Sequence, residues 1–215
     1  MGKIIYSLAI MILLLLILGC PNHHEDEFRP AEVIGRYGSG LGEFDTPCGI
    51  FLERIEGRPH TCLFVADYGN NRIQVRCWEG GDQYSYYAFG SFGKDTGQFD
   101  GPISVAVTRA DPQNSSIPPP SNPRIYVADS KNHRIQKFDI NGNYLLTWGS
   151  FGSDSGQFNI PTGIDVDFDG NVFVVDSGNH RIEVFDTLGN FIRMWGKQGS
   201  GNQEFNSPID IVLVF

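Results

Sequence analysis

The sequence predicts an all-β fold built from a repeated four-stranded antiparallel unit. Three observations carry this prediction: short runs rich in Val, Ile, Tyr and Phe recur along the chain, Gly, Asn, Asp and Pro bound each run, and the same words return in each unit. After the N-terminal segment, no stretch keeps the 3.6-residue period of an amphipathic helix. The 215 residues leave room for one sizeable domain of this kind.

The N-terminal segment has the pattern of a secretory signal. Lys3 is followed by an unbroken apolar run over 10–18, which is short for a membrane span. The run ends in Ile-Leu-Gly-Cys at 17–20, which resembles the lipobox of bacterial lipoproteins. That resemblance implies cleavage before Cys20 and lipidation of its thiol. We therefore predict a signal peptide over 1–19, with a plain membrane anchor helix as the alternative.

The segment that follows is polar and aperiodic, so we predict a lipid-anchored tether over 20–31. The formal net charge of the chain is −9, and no basic run is present. This charge pattern excludes the electrostatic footprint of a nucleic-acid-binding protein. We expect a location in the cell envelope, outside the cytoplasm, with the membrane contacted through the lipid rather than through the acidic body.

Each unit after the tether contains the same short sequence motifs in the same order. It opens with a Gly-rich motif that ends in Phe-x-x-Pro, found at Gly40–Pro47, Asp95–Pro102, Asp154–Pro161 and Gly201–Pro208. Strand a follows, then strand b ending in Asp, then an Asn-x-Arg-Ile turn into strand c, and strand d closes the unit. Four short strands repeated about every 45 to 60 residues are typical of β-propeller blades.

The repeat also resembles a known family. The stretch Pro161–Asp186 is similar, almost position by position, to an NHL repeat, and the resemblance extends over the chain from Ile34 onward. We therefore predict an NHL-type β-propeller over 32–215. The resemblance implies a propeller, usually of six blades, that serves mostly as a binding platform. A minority of relatives are metal-dependent lyases or lactonase-like hydrolases.

This chain holds too few units for a closed ring. It is expected to contain three full blades and two partial ones: a lone strand d at 31–34 and a fourth strand a at 209–214. Propellers normally need four to eight blades. The final apolar strand would lack a partner, which is a pairing hazard. We expect a fragment of a longer protein, with self-association through this edge as the alternative.

The b–c turns and the d–a loops are expected to share one face of the propeller, which we call the loop face. Counting outward from the first b–c turn places Asp67 opposite Arg72, and therefore Cys62 opposite Cys77. Opposed Cβ atoms lie about 4.5–5.5 Å apart, close to disulfide reach. We predict a Cys62–Cys77 disulfide that leaves Cys48 free; the alternative is three reduced cysteines. The same counting pairs Arg124 with Asp139 and Asn171 with Asp186.

The b–c turns carry the residues that first suggest a site. We interpret the Asp and Arg of each turn as structural, in the pairs Asp67 with Arg72, Asp129 with Arg134 and Asp176 with Arg181. Asp176 is expected to accept from the backbone of its turn, and Asn179 to adopt the left-handed conformation. The variable position, Asn71, His133 or His180, is expected to be a solvated turn tip. Two histidines without a third ligand do not make a metal site, so we expect no metal and no cofactor.

Two further recurrences concern the interior. Phe44, Phe99, Phe158 and Phe205 return at one position and are expected to plug the space between blades. Strand a should line the central channel, so the alternating carboxylates Asp165 and Asp167 place one carboxylate toward it.

The function that these features favour is ligand binding without chemistry. The ligand, a protein or a glycan, is expected on the loop face. Nine residues would line part of that face: Tyr68, Asn70, Asn71, Lys131, Asn132, His133, Ser177, Asn179 and His180. The alternative is a fragment of a propeller enzyme, a metal-dependent lyase or a lactonase-like hydrolase.

Overall fold

The structure is a computed structural model that describes residues 34–54, 61–80, 83–108 and 123–214. The predicted signal peptide, Cys20 with its tether, and all of the lone strand d except Ile34 lie outside these ranges. Within them, no helix is long and apolar enough to cross a membrane.

Three four-stranded antiparallel sheets follow one another along the chain, so the predicted fold class is confirmed. The first blade consists of β3 (Pro47–Arg54), β4 (Thr61–Asp67), β5 (Arg72–Gly80) and β6 (Gln83–Phe89). The second consists of β7 (Pro102–Val107), β8 (Arg124–Asp129), β9 (Arg134–Asp139) and β10 (Tyr144–Trp148). The third consists of β11 (Pro161–Val166), β12 (Val172–Asp176), β13 (Arg181–Phe185) and β14 (Phe191–Trp195). Ahead of them, β1 (Arg36–Tyr37) pairs in parallel with β2 (Glu43–Phe44) inside the first d–a loop.

The blades stack through the faces of their sheets, with the inner strands β3, β7 and β11 side by side. The backbones approach closely there: a Cβ on Gly49 would lie 2.7 Å from the carbonyl oxygen of Ile103. One core cluster joins the first two blades and includes Phe64, Val75, Val127 and Phe138. A second core cluster joins the second and third blades and includes Tyr126, Val174 and Phe185. The three blades therefore form an open, incomplete propeller.

The recurring phenylalanine of the d–a loop fills the space between blades, as predicted. Phe99 and Phe158 are fully buried in the two clusters. Each ring lies against the glycine that opens its loop: a Cβ on Gly90 or Gly149 would lie 2.3 or 2.5 Å from the ring. Both glycines have a positive φ, +96° and +97°. Close approach and backbone conformation together exclude a side chain at these positions.

The predicted register of the first hairpin is confirmed, and so is its disulfide. Asp67 pairs with Arg72 and Cys62 with Cys77, and the two cysteines are disulfide-bonded. Cys48 is a free thiol, and burial raises its pKa.

The second-blade pair is also in the predicted register, since Arg124 lies opposite Asp139. The third blade also keeps the predicted register, with Asp176 opposite Arg181, but its described ladder ends at Val172 opposite Phe185, one pair short of Asn171 and Asp186. The Asn171 amide donates instead to Asp167 at 2.8 Å. Asn171 belongs to the a–b turn, because Asp167 closes that turn by accepting from it.

The predicted fourth strand a lies where it was expected, against the third blade, but it does not form a strand. Residues 209–214 are not in a strand. Ile211 and Leu213 pack on the third blade, and the Leu213 N–H donates to Asp165 at 2.8 Å. The remaining apolar side chains are exposed: Ile209 by 73%, Val212 by 72% and Val214 by 89%. A strand needs the N–H and C=O groups of a neighbour, and the described residues supply none here.

Candidate functional site: the loop face

An aspartate at the end of each strand b organises the loop face. In the second blade, Asp129 Oδ1 accepts from the N–H of Asp100 at 2.8 Å. Its Oδ2 accepts from Asn132 Nδ2 at 2.9 Å and from Arg134 Nε at 2.8 Å. Asp67 and Asp176 make the equivalent bonds in the other blades. All three aspartates are fully buried, so their charge is matched inside the protein.

The arginine of each b–c turn holds the d–a loop that enters the same blade. Arg134 donates to the carbonyl oxygens of Lys94, Asp95 and Gln98 at 2.7, 2.9 and 2.8 Å. Arg72 and Arg181 hold the corresponding loop carbonyls. The aspartate of the turn receives only Nε of the arginine. The loop face is therefore a set of clamped loops.

Burial shifts the carboxyls in this network. It raises the pKa of both Asp129 and Asp176, although hydrogen bonds to each carboxylate act in the opposite direction. The desolvation effect is the largest in both cases, because the side chains have no exposed area.

The left-handed residue of the turn is not the predicted one. Asn179 ends a single 3₁₀ turn, Ser177–Asn179, and donates to Asp176 at 2.7 Å. His180 follows it with φ of 57°. Asp176 accepts from the backbone N–H of the loop residue Asn159 at 2.7 Å rather than from a backbone N–H of its own turn, whose closing bond runs from the His180 N–H to the Ser177 carbonyl.

The variable position of the turn, Asn71, His133 or His180, was predicted to be a solvated tip, and that prediction is wrong. His133 Nδ1 accepts from the N–H of Ile160 at 3.1 Å, and His180 Nδ1 accepts from that of Ser207 at 2.9 Å. Asn71 Oδ1 accepts from Gly101 at 2.9 Å. Each acceptor ties one blade to the loop that follows it in the ring, so we call these three positions the latches. Either Asn or His can occupy this position because both tolerate the left-handed conformation and both offer a hydrogen-bond acceptor.

The channel carboxylates are held by backbone groups. Asp165 is 2% exposed and accepts from the N–H groups of Val166 and Leu213, both at 2.8 Å. Burial raises the pKa of Asp210, with the charge of Asp165 acting in the same direction. Both border a small cavity of about 80 Å³ between the inner strands. In the described ranges, no group of three or more His, Cys, Asp or Glu is placed to hold a metal ion.

A row of exposed aromatic side chains was missed by the sequence analysis. Phe92 and Phe151 are each 69% exposed and Tyr37 is 83% exposed, at equivalent points of three d–a loops. Phe92 and Phe151 lie in parallel bridges to Phe99 and Phe158, and Tyr37 has the same relation to Phe44 in the first loop. The signal was present in the sequence as an aromatic residue followed by glycine ahead of three of the four plugs, at a position that the core does not need; ahead of Phe205 the residue is Gln198.

One junction on this face combines three unusual features. The Phe151 ring meets the His133 imidazole edge-on, with centroids 4.9 Å apart. Ile160, 48% exposed, has φ of 57°, which is rare for a β-branched residue and costs free energy. Phe151, His133 and Ile160 thus meet at this junction. The positive φ recurs at the equivalent positions Thr46, Gly101 and Ser207, so it belongs to the geometry of the repeated loop.

The other predicted face residues have structural partners. The amides of Asn70, Asn132 and Asn179 bond the turn aspartate and a loop carbonyl. Lys131 Nζ lies 4.7 Å from the centre of the Tyr68 ring and 3.6 Å from the Asp100 carboxylate. These two contacts join the first two blades. All nine predicted residues thus lie on the turns of the loop face, but most of their polar atoms serve the fold.

Comparison with known proteins supports an NHL-repeat assignment. The family model for the NHL repeat matches residues 121–138 and 158–185. The Drosophila melanogaster protein brain tumor is 38% identical over 78 residues, which are 36% of this chain and 6% of that protein. The chain thus spans a small part of this relative's length.

Solved structures with a similar arrangement were also found. A catalytically inactive virginiamycin B lyase from Staphylococcus aureus with quinupristin superposes with a TM-score of 0.48 at 17% identity, over 76% of this chain and 44% of that one. A Lactobacillus plantarum protein gives 0.42 at 13% identity, over 72% and 42%. The chain spans less than half of either.

Proposed function

We propose that this chain is a binding platform that holds a protein ligand on its loop face, from a lipid-anchored position outside the cytoplasm. The observation that carries the proposal is the row of exposed aromatic side chains, Tyr37, Phe92 and Phe151. Aromatic residues dominate the energetics of protein interfaces. The NHL-repeat match supports an interaction role, because that resemblance implies a binding platform.

The clamped loops favour binding because they hold the face in one shape. Each d–a loop is tied to its turn through arginine and asparagine, and each latch ties it to the preceding blade. A ligand therefore meets a preorganised surface and does not have to order the loops. Among the predicted face residues, His133 contacts Phe151 directly. Lys131 and His180 lie on turns of the same face and would add to the polar part of the contact.

The proposed location rests on the disulfide and on the N-terminal pattern. A structural disulfide is typical of proteins outside the reducing cytoplasm. Lipidation of Cys20 would then hold the propeller at the membrane. Replacing Cys20 by Ser should release the protein from the membrane fraction, and retention of the variant in that fraction would contradict the anchor.

The binding role is tested with a matched pair of surface variants. The full chain is screened against a displayed peptide library and a glycan array, and the strongest peptide hit is measured by calorimetry. We expect Phe151→Ala to weaken that binding by about 10-fold or more. Leu188→Ala is the control, because Leu188 is also 69% exposed but lies in a c–d turn. Equal effects of the two variants, or hits on the glycan array alone, would contradict a protein ligand on this face.

A further inference from the structure

One buried position differs between the blades in its chemistry. Two residues after the turn arginine, the first two blades carry a glutamine and the third carries Glu183. In the second blade, Gln136 Oε1 accepts from the Gly97 N–H at 3.0 Å. Its Nε2 donates to the Gln98 carbonyl at 2.6 Å and to Asp129 Oδ2 at 3.2 Å. The amide thus offers one acceptor to one donor and two N–H groups to two acceptors.

The first blade repeats this arrangement with nearly the same distances. Gln74 Oε1 accepts from the Gly42 N–H at 3.0 Å. Its Nε2 donates to the Glu43 carbonyl at 2.5 Å and to Asp67 at 3.1 Å. The site therefore requires a donor at one of the two terminal atoms of this side chain.

Glu183 occupies the same place without an amide. Its Oε2 accepts from the Gly156 N–H at 2.8 Å, as the glutamine oxygens do. Its Oε1 takes the place of the amide nitrogen and is buried without a hydrogen-bond partner. The whole side chain is 0% exposed, so water does not compensate in the described structure. A carboxylate oxygen therefore stands where the other blades use a donor.

The neighbouring Arg181 is ion-paired with that oxygen, but its N–H groups are directed at other acceptors. Arg181 Nη2 lies 2.5 Å from Glu183 Oε1, but its two hydrogens are directed at the carbonyls of Asp154 and Gln157, at 2.9 and 2.8 Å. Nη1 donates to the Ser153 carbonyl and to Met194 Sδ, and Nε donates to Asp176. A guanidinium has five N–H groups, and all five are used.

Two charged groups act on Glu183. Asp176 faces it from β12, and Arg181 lies beside it on β13. Its cross-strand neighbours, Val174 on β12 and Met194 on β14, do not titrate, and the d–a loop contributes backbone groups. Burial raises the pKa of Glu183, and the charge of Asp176 raises it further, while Gly156 and Arg181 act in the opposite direction.

We propose that Glu183 holds a proton in the folded protein and donates from Oε1 to the Gln157 carbonyl or to Asp176 Oδ2. The protonated carboxyl then does what the glutamine amide does in the other two blades. The proton comes from solvent and returns to it, so no other reactant is needed. The third blade therefore has a proton-dependent clamp that the first two blades lack.

The direction of the pH dependence follows from this. Because the folded state holds the proton more tightly than the unfolded chain, its stabilisation is complete below the pKa of an unfolded glutamate, about 4.3. It declines as the pH rises toward the higher pKa of the folded state. The Arg181 clamp then holds the loop of Phe151 and Ile160 less firmly, whether or not that loop binds a ligand.

A reciprocal pair of variants tests the proposal in the full chain. Glu183→Gln should raise the urea midpoint of unfolding above that of the wild type at pH 8 and match it near pH 4. Gln136→Glu should lower the midpoint at pH 8 and add a pH dependence to the second blade. All other titratable groups are common to the three proteins, so their contribution cancels in the differences.

An infrared difference spectrum gives a second readout, independent of stability. The wild type minus Glu183→Gln should show the C=O band of a protonated carboxyl, and the band should persist above the pKa of an ordinary glutamate, about 4.3. A midpoint for Glu183→Gln at or below that of the wild type at pH 8 would overturn the proposal. So would the absence of the band, even if Gln136→Glu fails to fold.

Discussion

The backbone N–H of Ile160 donates a hydrogen bond to Nδ1 of His133, 3.1 Å away in the preceding blade. The same bond recurs from Ser207 to His180 at 2.9 Å and from Gly101 to Asn71 at 2.9 Å. A residue that varies between copies of the repeat therefore has one constant task, which is to accept from the next loop. These latches join the blades on the face proposed for binding.

The latch predicts different outcomes for two substitutions at one position. His133→Asn keeps an acceptor and the left-handed conformation, as Asn71 does, so its free energy of unfolding should change by less than about 0.5 kcal/mol. His133→Leu loses both and should cost about 1–2 kcal/mol. Urea denaturation at pH 8 measures the difference. Equal losses from both variants would show that the acceptor does not matter.

The turn arginine should be intolerant of a conservative change. Arg134→Lys keeps a positive charge but cannot reach three carbonyls and Asp129 together, so it leaves buried groups unpaired. We expect a loss of about 3 kcal/mol, as for breaking a buried ion pair. The control is Arg36→Ala, which removes an exposed pair with Glu43 and should cost no more than about 1 kcal/mol. Thermal unfolding of both variants would decide, and similar shifts would argue against the clamp.

Two glycine substitutions separate steric clash from backbone strain. Gly149→Ala places a Cβ 2.5 Å from the buried Phe158 ring at φ of +97°. It should cost about 3 kcal/mol through strain and overpacking. Gly97→Ala has a similar φ, +77°, with nothing within 4 Å of its Cβ, so it should cost only about 1 kcal/mol. Urea midpoints within error of one another would show that the ring moves aside.

The disulfide should be both countable and stabilising. With Cys20 replaced by Ser, denatured protein without reductant should show one reactive thiol, that of Cys48. Removing the Cys62–Cys77 bond, whose ends are separated by 15 positions in sequence, should cost about 3 kcal/mol. Three reactive thiols would contradict the bond.

Most of the fold followed from local patterns. The strands, the loop-face turns and the Cys62–Cys77 register could be predicted because strand periodicity and turn chemistry act over a few residues, and the repeat supplied three versions of each. Asn171 was misassigned because the register argument did not include the a–b turn that Asp167 closes. The final segment was misassigned because strand formation depends on a neighbour, which a segment's own sequence does not reveal.

Local sequence patterns specify the blade: its four strands, its plugs, its turn residues and its disulfide. The tertiary structure is needed to show what the turn residues bind, because the partners of His133 and Arg134 lie 27 and up to 40 residues away in sequence. It also revealed that Glu183 stands among acceptors, where Gln74 and Gln136 act as donors. A repeat pattern records which residue types recur, whereas the balance of donors and acceptors at each position depends on chain segments that meet only when the loops fold onto the turns.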